Sequence, residues 1–329
     1  MRWFIMSSLI TASPRADMRR KNAARSGIIL PSTIALARYT ATMADRALPY
    51  NTRHLAGDTY VIPGLTNAGY VDGLVIDTGD DEAPFAGVAV DGLVITHGHA
   101  DHFPIGHVLR AAGARVWAPR DDASLVENPD INIRGMFSWA KPGDFLTTRL
   151  FRGTPCPVDA YLEDFADERA TVVPLPGHTL GHSGILTRDG VLFTGDALYE
   201  KEIWERHQLP YAIDPGMVSA SLERIRAVPC AWIVPGHGRA IRREDAEEHI
   251  DHHLGQIADI EALLIDRLAV EHTTEQAIAL VSEARGLGEN PASYWLAVTT
   301  VKGFLGELLD RGEIQFFVRE HAGWWRTRR

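Results

Sequence analysis

Residues 96–102 read T-H-G-H-A-D-H and put four metal-ligating side chains, His97, His99, Asp101 and His102, within six consecutive positions. A packed core has no use for imidazole and carboxylate at that density, so this stretch constrains the chain more than any other. Val94 and Ile95 lead into it as the end of a buried strand, and the period-2 spacing of His97 and His99 lets both point the same way. Asp101 and His102 follow in a turn, and Pro104 suits the first position of a helix over residues 104–112. Strand ends and the turns after them are where α/β proteins build sites. Neutral imidazole and carboxylate are the ligands of zinc and similar borderline metals. Taken together, these residues predict a metal site rather than a set of solvated histidines.

Three further short motifs follow in order: Pro176-Gly177-His178-Thr179, Thr194-Gly195-Asp196 and Pro235-Gly236-His237-Gly238. With the H-x-H-x-D-H string they make an inventory of five histidines and two carboxylates, chemically enough for two cations with positions left for water. The four motifs together resemble the signature of the metallo-β-lactamase fold superfamily, over about residues 59–238. The resemblance implies that His97, His99 and His178 hold one metal, that Asp101, His102 and His237 hold a second, and that Asp196 bridges them. His182, four residues after His178, is read as orienting one of these ligands by hydrogen bond. Asp77, in an Asp-Thr-Gly turn at a strand end, is the other candidate for such support.

The rest of the chain fits the fold that this family implies, an αββα sandwich. Residues 59–62 and 70–76 are rich in β-branched and aromatic residues and read as antiparallel strands. Strands are expected at 92–96, 114–118, 171–174, 183–187, 191–194 and 231–234, with Asp189-Gly190 as a hairpin turn. A helix at 217–227 opens on Pro215-Gly216. The alternation of strand and helix argues for an α/β class. Residues 119–170 lose this rhythm and carry Phe137, Trp139, Phe145, Phe151, Tyr161 and Phe165; collectively they are the expected substrate wall, although each alone suits a small core under the loop slightly better. Residues 198–214 are a second segment placed to close over substrate.

After residue 242 the pattern changes to helices at 243–268, 274–285 and 293–310, then strands at 312–318 and 323–326. This resembles a small winged-helix-like domain, similar to the C-terminal extension of the lactamase-like-protein-2 branch of the family. The expected organisation is a basic segment at 1–43, a catalytic domain at 44–242 and this helical domain at 243–329. His249, His252 and His253, at i, i+3 and i+4, are read as a solvated polar face. Residues 251–329 carry twelve acidic and eight basic side chains, which is no phosphate-binding surface. Packing on the catalytic domain, or homodimer formation, is expected of this region in preference to nucleic-acid binding.

Charge and cysteine content narrow the setting. Residues 1–43 hold seven basic side chains against Asp17, about +6, leaving about -16 for the remainder of a chain whose net charge is -10. An acidic body discourages contact with nucleic acid or anionic lipid. The basic segment reads as a targeting peptide, a disordered arm or non-native sequence, with Met43 as an alternative start. No run approaches the roughly 18 apolar residues of a membrane helix. Cys156 and Cys230 form no CxxC pair, so neither a disulfide framework nor a thiolate site is expected. A cytoplasmic location follows, with organellar or exported locations left open by the basic segment.

The function that the resemblance implies is hydrolysis. Two zinc ions would make a metal-bound hydroxide available at neutral pH, with Asp101 orienting it and accepting its proton. The expected substrate is a small ester, thioester or lactone. The site strings agree with glyoxalase II, but Ala197-Leu198-Tyr199-Glu200-Lys201 differs from that enzyme's Gly-Cys-Gly-Arg-like run, and its glutathione-binding basic residues have no clear counterpart. Three alternatives stand beside this: a persulfide dioxygenase-like enzyme with a single iron, a metal-dependent phosphodiesterase or ribonuclease, and a degenerate nucleic-acid-binding protein.

Overall fold

The computed structural model describes residues 48–79, 81–146 and 151–328, so the basic N-terminal segment lies outside the described residues. A first sheet is built from β1 (Arg53–Ala56), β2 (Thr59–Ile62), β3 (Ala68–Val71), β4 (Leu74–Ile76), β5 (Gly92–Val94), β6 (Arg115–Ala118) and β7 (Ala160–Tyr161), neighbours in sequence order. Pairing is antiparallel as far as β4 and parallel from β4 to β7. The single strand expected over 70–76 is two strands. Asp72 and Gly73 both take positive φ, 44° and 87°, and turn the chain in a two-residue hairpin. Aspartate followed by glycine is a favoured pair for such a turn, and the flanking apolar residues concealed it.

The second sheet comprises β8 (Ala170–Pro174), β9 (Ser183–Thr187), β10 (Val191–Gly195), β11 (Trp232–Pro235) and β12 (Ile241–Arg242), in the order β12-β11-β10-β9-β8. Only β10 and β11 pair in parallel here. The helices α1 (Gly106–Ala111), α2 (Ala123–Glu127) and α3 (Asp130–Met136) follow strands of the first sheet, whereas α4 (Lys201–His207) and α5 (Pro215–Ala227) link β10 to β11. Asp214 caps α5 by accepting from the Met217 N–H at 2.8 Å, and Pro215 supplies the fixed φ of the first turn.

Alternation along the strands explains the layering. Leu74 and Ile76 face one way with Val61 and Val94, and meet Ile185, Phe193 and Val234 of the second sheet. Val75 points to the other side with Leu93 and Val116, against Phe103 and Leu109. The outer face of the second sheet, through Leu192 and Ile233, packs on Leu222 and Ile225 of α5. Both sheets are therefore covered on both faces, giving the layer order helix, sheet, sheet, helix. Gly69 of β3 has no side chain because a Cβ there would run into the Phe193 ring crossing from the opposite sheet.

The last portion adds α6 (Ala246–Arg267), β13 (His272–Thr273), α7 (Thr274–Ala284), α8 (Pro291–Asp310), β14 (Ile314–Arg319) and β15 (Ala322–Thr327), with an antiparallel sheet in the order β13-β15-β14. A capping box between Thr273 and Gln276 starts α7, and Asn290 caps α8 ahead of Pro291. Its core is continuous with that of the sheets: Ile250 and Ile257 of α6 and Val301, Phe304 and Leu308 of α8 join the cluster that holds Leu192 and Leu222.

The reading of His249, His252 and His253 as a solvated face is corrected. His253 is 3% exposed, with its ring 5.7 Å from Tyr199 and 5.1 Å from Trp204. It lies on the buried stripe Ile250, His253, Ile257, Ile260 and Leu264, whose three- and four-residue spacing turns it inward whatever its polarity. His249 instead accepts from the Lys201 N–H at 3.1 Å. At the far end, Arg319 and Arg326 pair with Glu271 at 2.5 and 3.2 Å, so the basic residues near the hairpin are already engaged. Among the described residues no helix is long and apolar enough to cross a membrane.

Candidate metal centre

Each metal-ligating motif sits on a loop at the end of a strand. His97 and His99 lie beyond β5, Asp196 directly follows β10, His237 follows β11, and His178 lies in the connection from β8 to β9. The parallel pairs β4-β5 and β10-β11 put their C-terminal ends along one edge of the sandwich. The seven residues are brought together there. Three groups each have ligand atoms within 4.8 Å of one another: His97, His99 and His178; His97, His102 and Asp196; and Asp101, His102 and His237. Asp196 stands between the first and last of these, its Oδ2 3.5 Å from His178 Nε2 and 3.5 Å from His237 Nε2, its Oδ1 3.4 Å from His102 Nε2.

Hydrogen bonds to the outer nitrogen orient three of the rings, His178, His237 and His102. The carbonyl of Tyr211 can only accept, so His178 donates from Nδ1 at 2.8 Å and presents the Nε2 lone pair to the cluster. His237 donates from Nδ1 to the Leu65 carbonyl at 2.7 Å in the same way. His102 is held by Asp77 Oδ2 at 2.8 Å from Nδ1. Backbone or carboxylate partners on the outer nitrogen are the usual means of orienting metal-binding histidines. His97 Nε2 to His99 Nδ1 is 3.1 Å, and His99 Nδ1 to His178 Nε2 is 2.8 Å. Two nitrogens each ~2.05 Å from one tetrahedral ion would be ~3.3 Å apart. His102 Nε2 and Asp196 Oδ1 are buried with no hydrogen-bond partner. Such orphaned atoms are costly to keep in a fold, and a cation beside both would satisfy them; the donor set fits a divalent metal.

Electrostatics of the bare protein divide the ligands: some imidazoles are held neutral, whereas His102 and His237 are held protonated, so a metal would have to displace their protons. Burial drives His97 well below its ordinary value and takes His178 down to about 3, the surrounding histidines adding to the shift. Burial would also lower His102 and His237, but Asp196 and its neighbours outweigh it, holding His102 well above the usual range and His237 at about 10. For Asp101, burial acts upward, yet His102 and His237 keep the carboxyl well below the usual carboxylate range. The carboxylates are thus ionised and acceptor-only, as metal ligation requires.

Supporting groups surround the ligands. Asp77 accepts from the Thr96 N–H and the Thr96 hydroxyl, both at 2.8 Å, in addition to holding His102. His182 Nε2 accepts from the Asp196 N–H at 3.0 Å, and its ring stacks on His97. Gly236 is required because a Cβ there would collide with the Asp196 carboxylate and the His102 ring. The sequence motifs gave no hint of Asp122, which is 1% exposed. It accepts from the Gly98 N–H at 2.9 Å, the Thr179 hydroxyl at 2.5 Å and the Gly181 N–H at 2.9 Å. One carboxylate therefore ties the loop of His97 and His99 to the loop of His178.

A cavity of about 300 Å³ opens over this floor. Its walls come from three places. Phe151 and Met136 stand on one side, Ile203, Leu209 and Tyr211 of the segment after Asp196 on another, and Leu287, Leu296 and Ala297 of the last helical region on the third. Of the six aromatic residues expected as a substrate wall, Phe151 reaches the cavity. Phe137 packs on Trp295 and Phe145, Phe165 on Trp117, and Tyr161 under Arg120, while Trp139 is exposed. Trp204 turns away from the cavity toward His253.

Comparison with known proteins gives a consistent picture. Residues 61–237 match the model of the metallo-beta-lactamase superfamily. A hydroxyacylglutathione hydrolase from Shewanella pealeana is 32% identical over 133 residues, 38% of this chain and 41% of that protein. The N-acyl homoserine lactonase AttM of Rhizobium radiobacter is 29% identical over 143 residues, 41% of this chain and 50% of that one. The chain thus spans about half the length, or less, of these curated relatives. A metallo-beta-lactamase family protein from Thermus thermophilus superposes with a TM-score of 0.59 over 82% of this chain and 93% of its own, at 17% identity, a likeness of fold.

Proposed function

Because the chain belongs to the metallo-beta-lactamase superfamily, we propose that it is a metal-dependent hydrolase acting on a small ester, thioester or lactone. The observation that carries the proposal is the pair of orphaned buried atoms, His102 Nε2 and Asp196 Oδ1, within a set of seven ligand-type residues. Two zinc ions are the proposed complement, the first held by His97, His99 and His178, the second by Asp101, His102 and His237, with Asp196 between them. When bound, they would supply Lewis acidity that lowers the pKa of a water and polarises the oxygen of the bond under attack.

The protein's own groups divide the remaining work. Asp101, ionised and on the cavity floor, orients the attacking water and takes up its proton; the Thr66 hydroxyl, 3.1 Å from its Oδ2, steadies it. Tyr199, whose hydroxyl burial and the nearby carboxylates hold well above its ordinary value, stays protonated and faces the Asp196 carboxylate, to which it can donate. Asp77, Asp122 and His182 keep the ligand loops in register. The relatives named above, a hydroxyacylglutathione hydrolase and an acyl homoserine lactonase, support ester-type carbonyl chemistry. A one-ion oxygenase reading is less well supported, since it leaves the group Asp101, His102 and His237 without a purpose.

The setting we propose is the cytoplasm, because Cys156 and Cys230 are both free thiols, as suits a reducing compartment. The test of the function is hydrolysis of p-nitrophenyl acetate, S-lactoylglutathione and an acyl homoserine lactone before and after chelation. Hydrolysis of any of these that chelation abolishes and zinc restores is the expected result. Equal rates with and without metal would overturn it.

A further inference from the structure

The composition of the cavity wall restricts what enters it. Apart from the residues grouped around the proposed metals, its lining is dominated by apolar side chains, among them Met136, Phe151, Ile203, Leu209, Leu287 and Leu296. Asn132, Ser293, Tyr199, Tyr211 and His207 add polarity, and no lysine or arginine is among the described residues that line it. Ser293 is committed to the cap of α8, where its hydroxyl accepts from the Asn290 amide at 2.9 Å. Tyr199 and Tyr211 bring hydroxyls rather than cations to the lining. A ligand carboxylate held against these described walls would be buried with no lysine or arginine among them to pair with it, which is unfavourable.

We propose that this cavity is an acyl pocket, taking the uncharged, apolar acyl chain of an ester, thioester or lactone and disfavouring substrates whose remote parts are charged, such as a peptide thiol with free carboxylates. The inference rests on the hydrolase reading above and refines it. It also gives the last helical region a task, since Leu287, at the α7-α8 connection, and Leu296 and Ala297 of α8 form the wall furthest in sequence from the metal ligands. Selectivity for acyl length would then be set in part by residues outside the segment matched by the family model, which ends at residue 237.

Two measurements on the full, metal-loaded chain separate this claim from its premise. The first is kcat/KM for p-nitrophenyl acetate, butanoate and hexanoate beside S-lactoylglutathione. The second is calorimetric binding of butanoate, hexanoate and octanoate, which needs no turnover. The pocket predicts a gain of about threefold for each added methylene in both series until the cavity is full. It also predicts that lactoylglutathione is the poorest substrate. Leu296→Asn should flatten both slopes, and Leu287→Asn, on a different segment, serves if the first variant does not fold. Turnover with flat slopes, or with lactoylglutathione preferred, overturns the pocket and leaves the hydrolase reading standing. No turnover of any ester, with alkanoate affinity still climbing with length, removes the hydrolase reading and retains the pocket; flat affinity removes the pocket as well.

Discussion

Asp196 is the residue on which the site turns, because it faces both His178 and His237, each at 3.5 Å, and also His102. Asp196→Ala should therefore lose metal and activity together, read by elemental analysis and ester hydrolysis on one preparation; full activity with undiminished metal would remove the bridging role. Asp122 makes a finer claim. Asp122→Asn keeps its shape but turns an amide toward groups that all donate, the N–H of Gly98 and Gly181 and the Thr179 hydroxyl. Chelator competition should show metal affinity lower by about 10- to 100-fold, with the far-ultraviolet circular dichroism unchanged. Unaltered affinity would make Asp122 a packing residue only. The seven residues that the structure brings together could be picked from the sequence because ligand chemistry concentrates rare side chains into short strings. Asp122 could not, since an aspartate in Asp121-Asp122 carries no local signal and its partners lie up to 59 residues away.

At the scale of elements, α6 is the informative case. Its polar residues suggested an open face, yet the stripe of Ile250, Ile257, Ile260 and Leu264 decides which side is inside, and His253 goes with it. Burial takes His253 down to about 3, and its Nδ1 has no partner. An unfolded histidine titrates near ~6.5. The folded state therefore binds fewer protons than the unfolded state between these values, and stability is complete above ~6.5 and is lost as pH falls toward 3. His253→Phe removes that dependence. Its melting temperature relative to the parent should rise as pH drops from about 7 to about 4, corresponding to about 1 kcal/mol per pH unit. A constant difference across that range would show that His253 is not held neutral by burial. The hairpin at Asp72-Gly73 is the converse case, in which a turn signal is present but the apolar residues on either side, Tyr70 to Ile76, mask it as one continuous strand.

Taken as a whole molecule, the αββα sandwich was readable from strand alternation and motif order, because both depend on local periodicity. The cavity was not, because its walls are assembled from segments that meet only in three dimensions: Phe151 from the irregular insertion, Leu209 from the segment after Asp196, and Leu296 from α8. The second sheet and the last helical region share one core, where Leu192 and Leu308 belong to the same cluster. The metal edge, the apolar cavity and the helical wall thus form a single unit, whose proposed chemistry depends on metal at that edge. The most direct measurement is elemental analysis of the full chain purified without chelator. About two zinc ions per folded chain is the predicted result; a folded chain that holds no metal, even after zinc is supplied and excess removed, would contradict it.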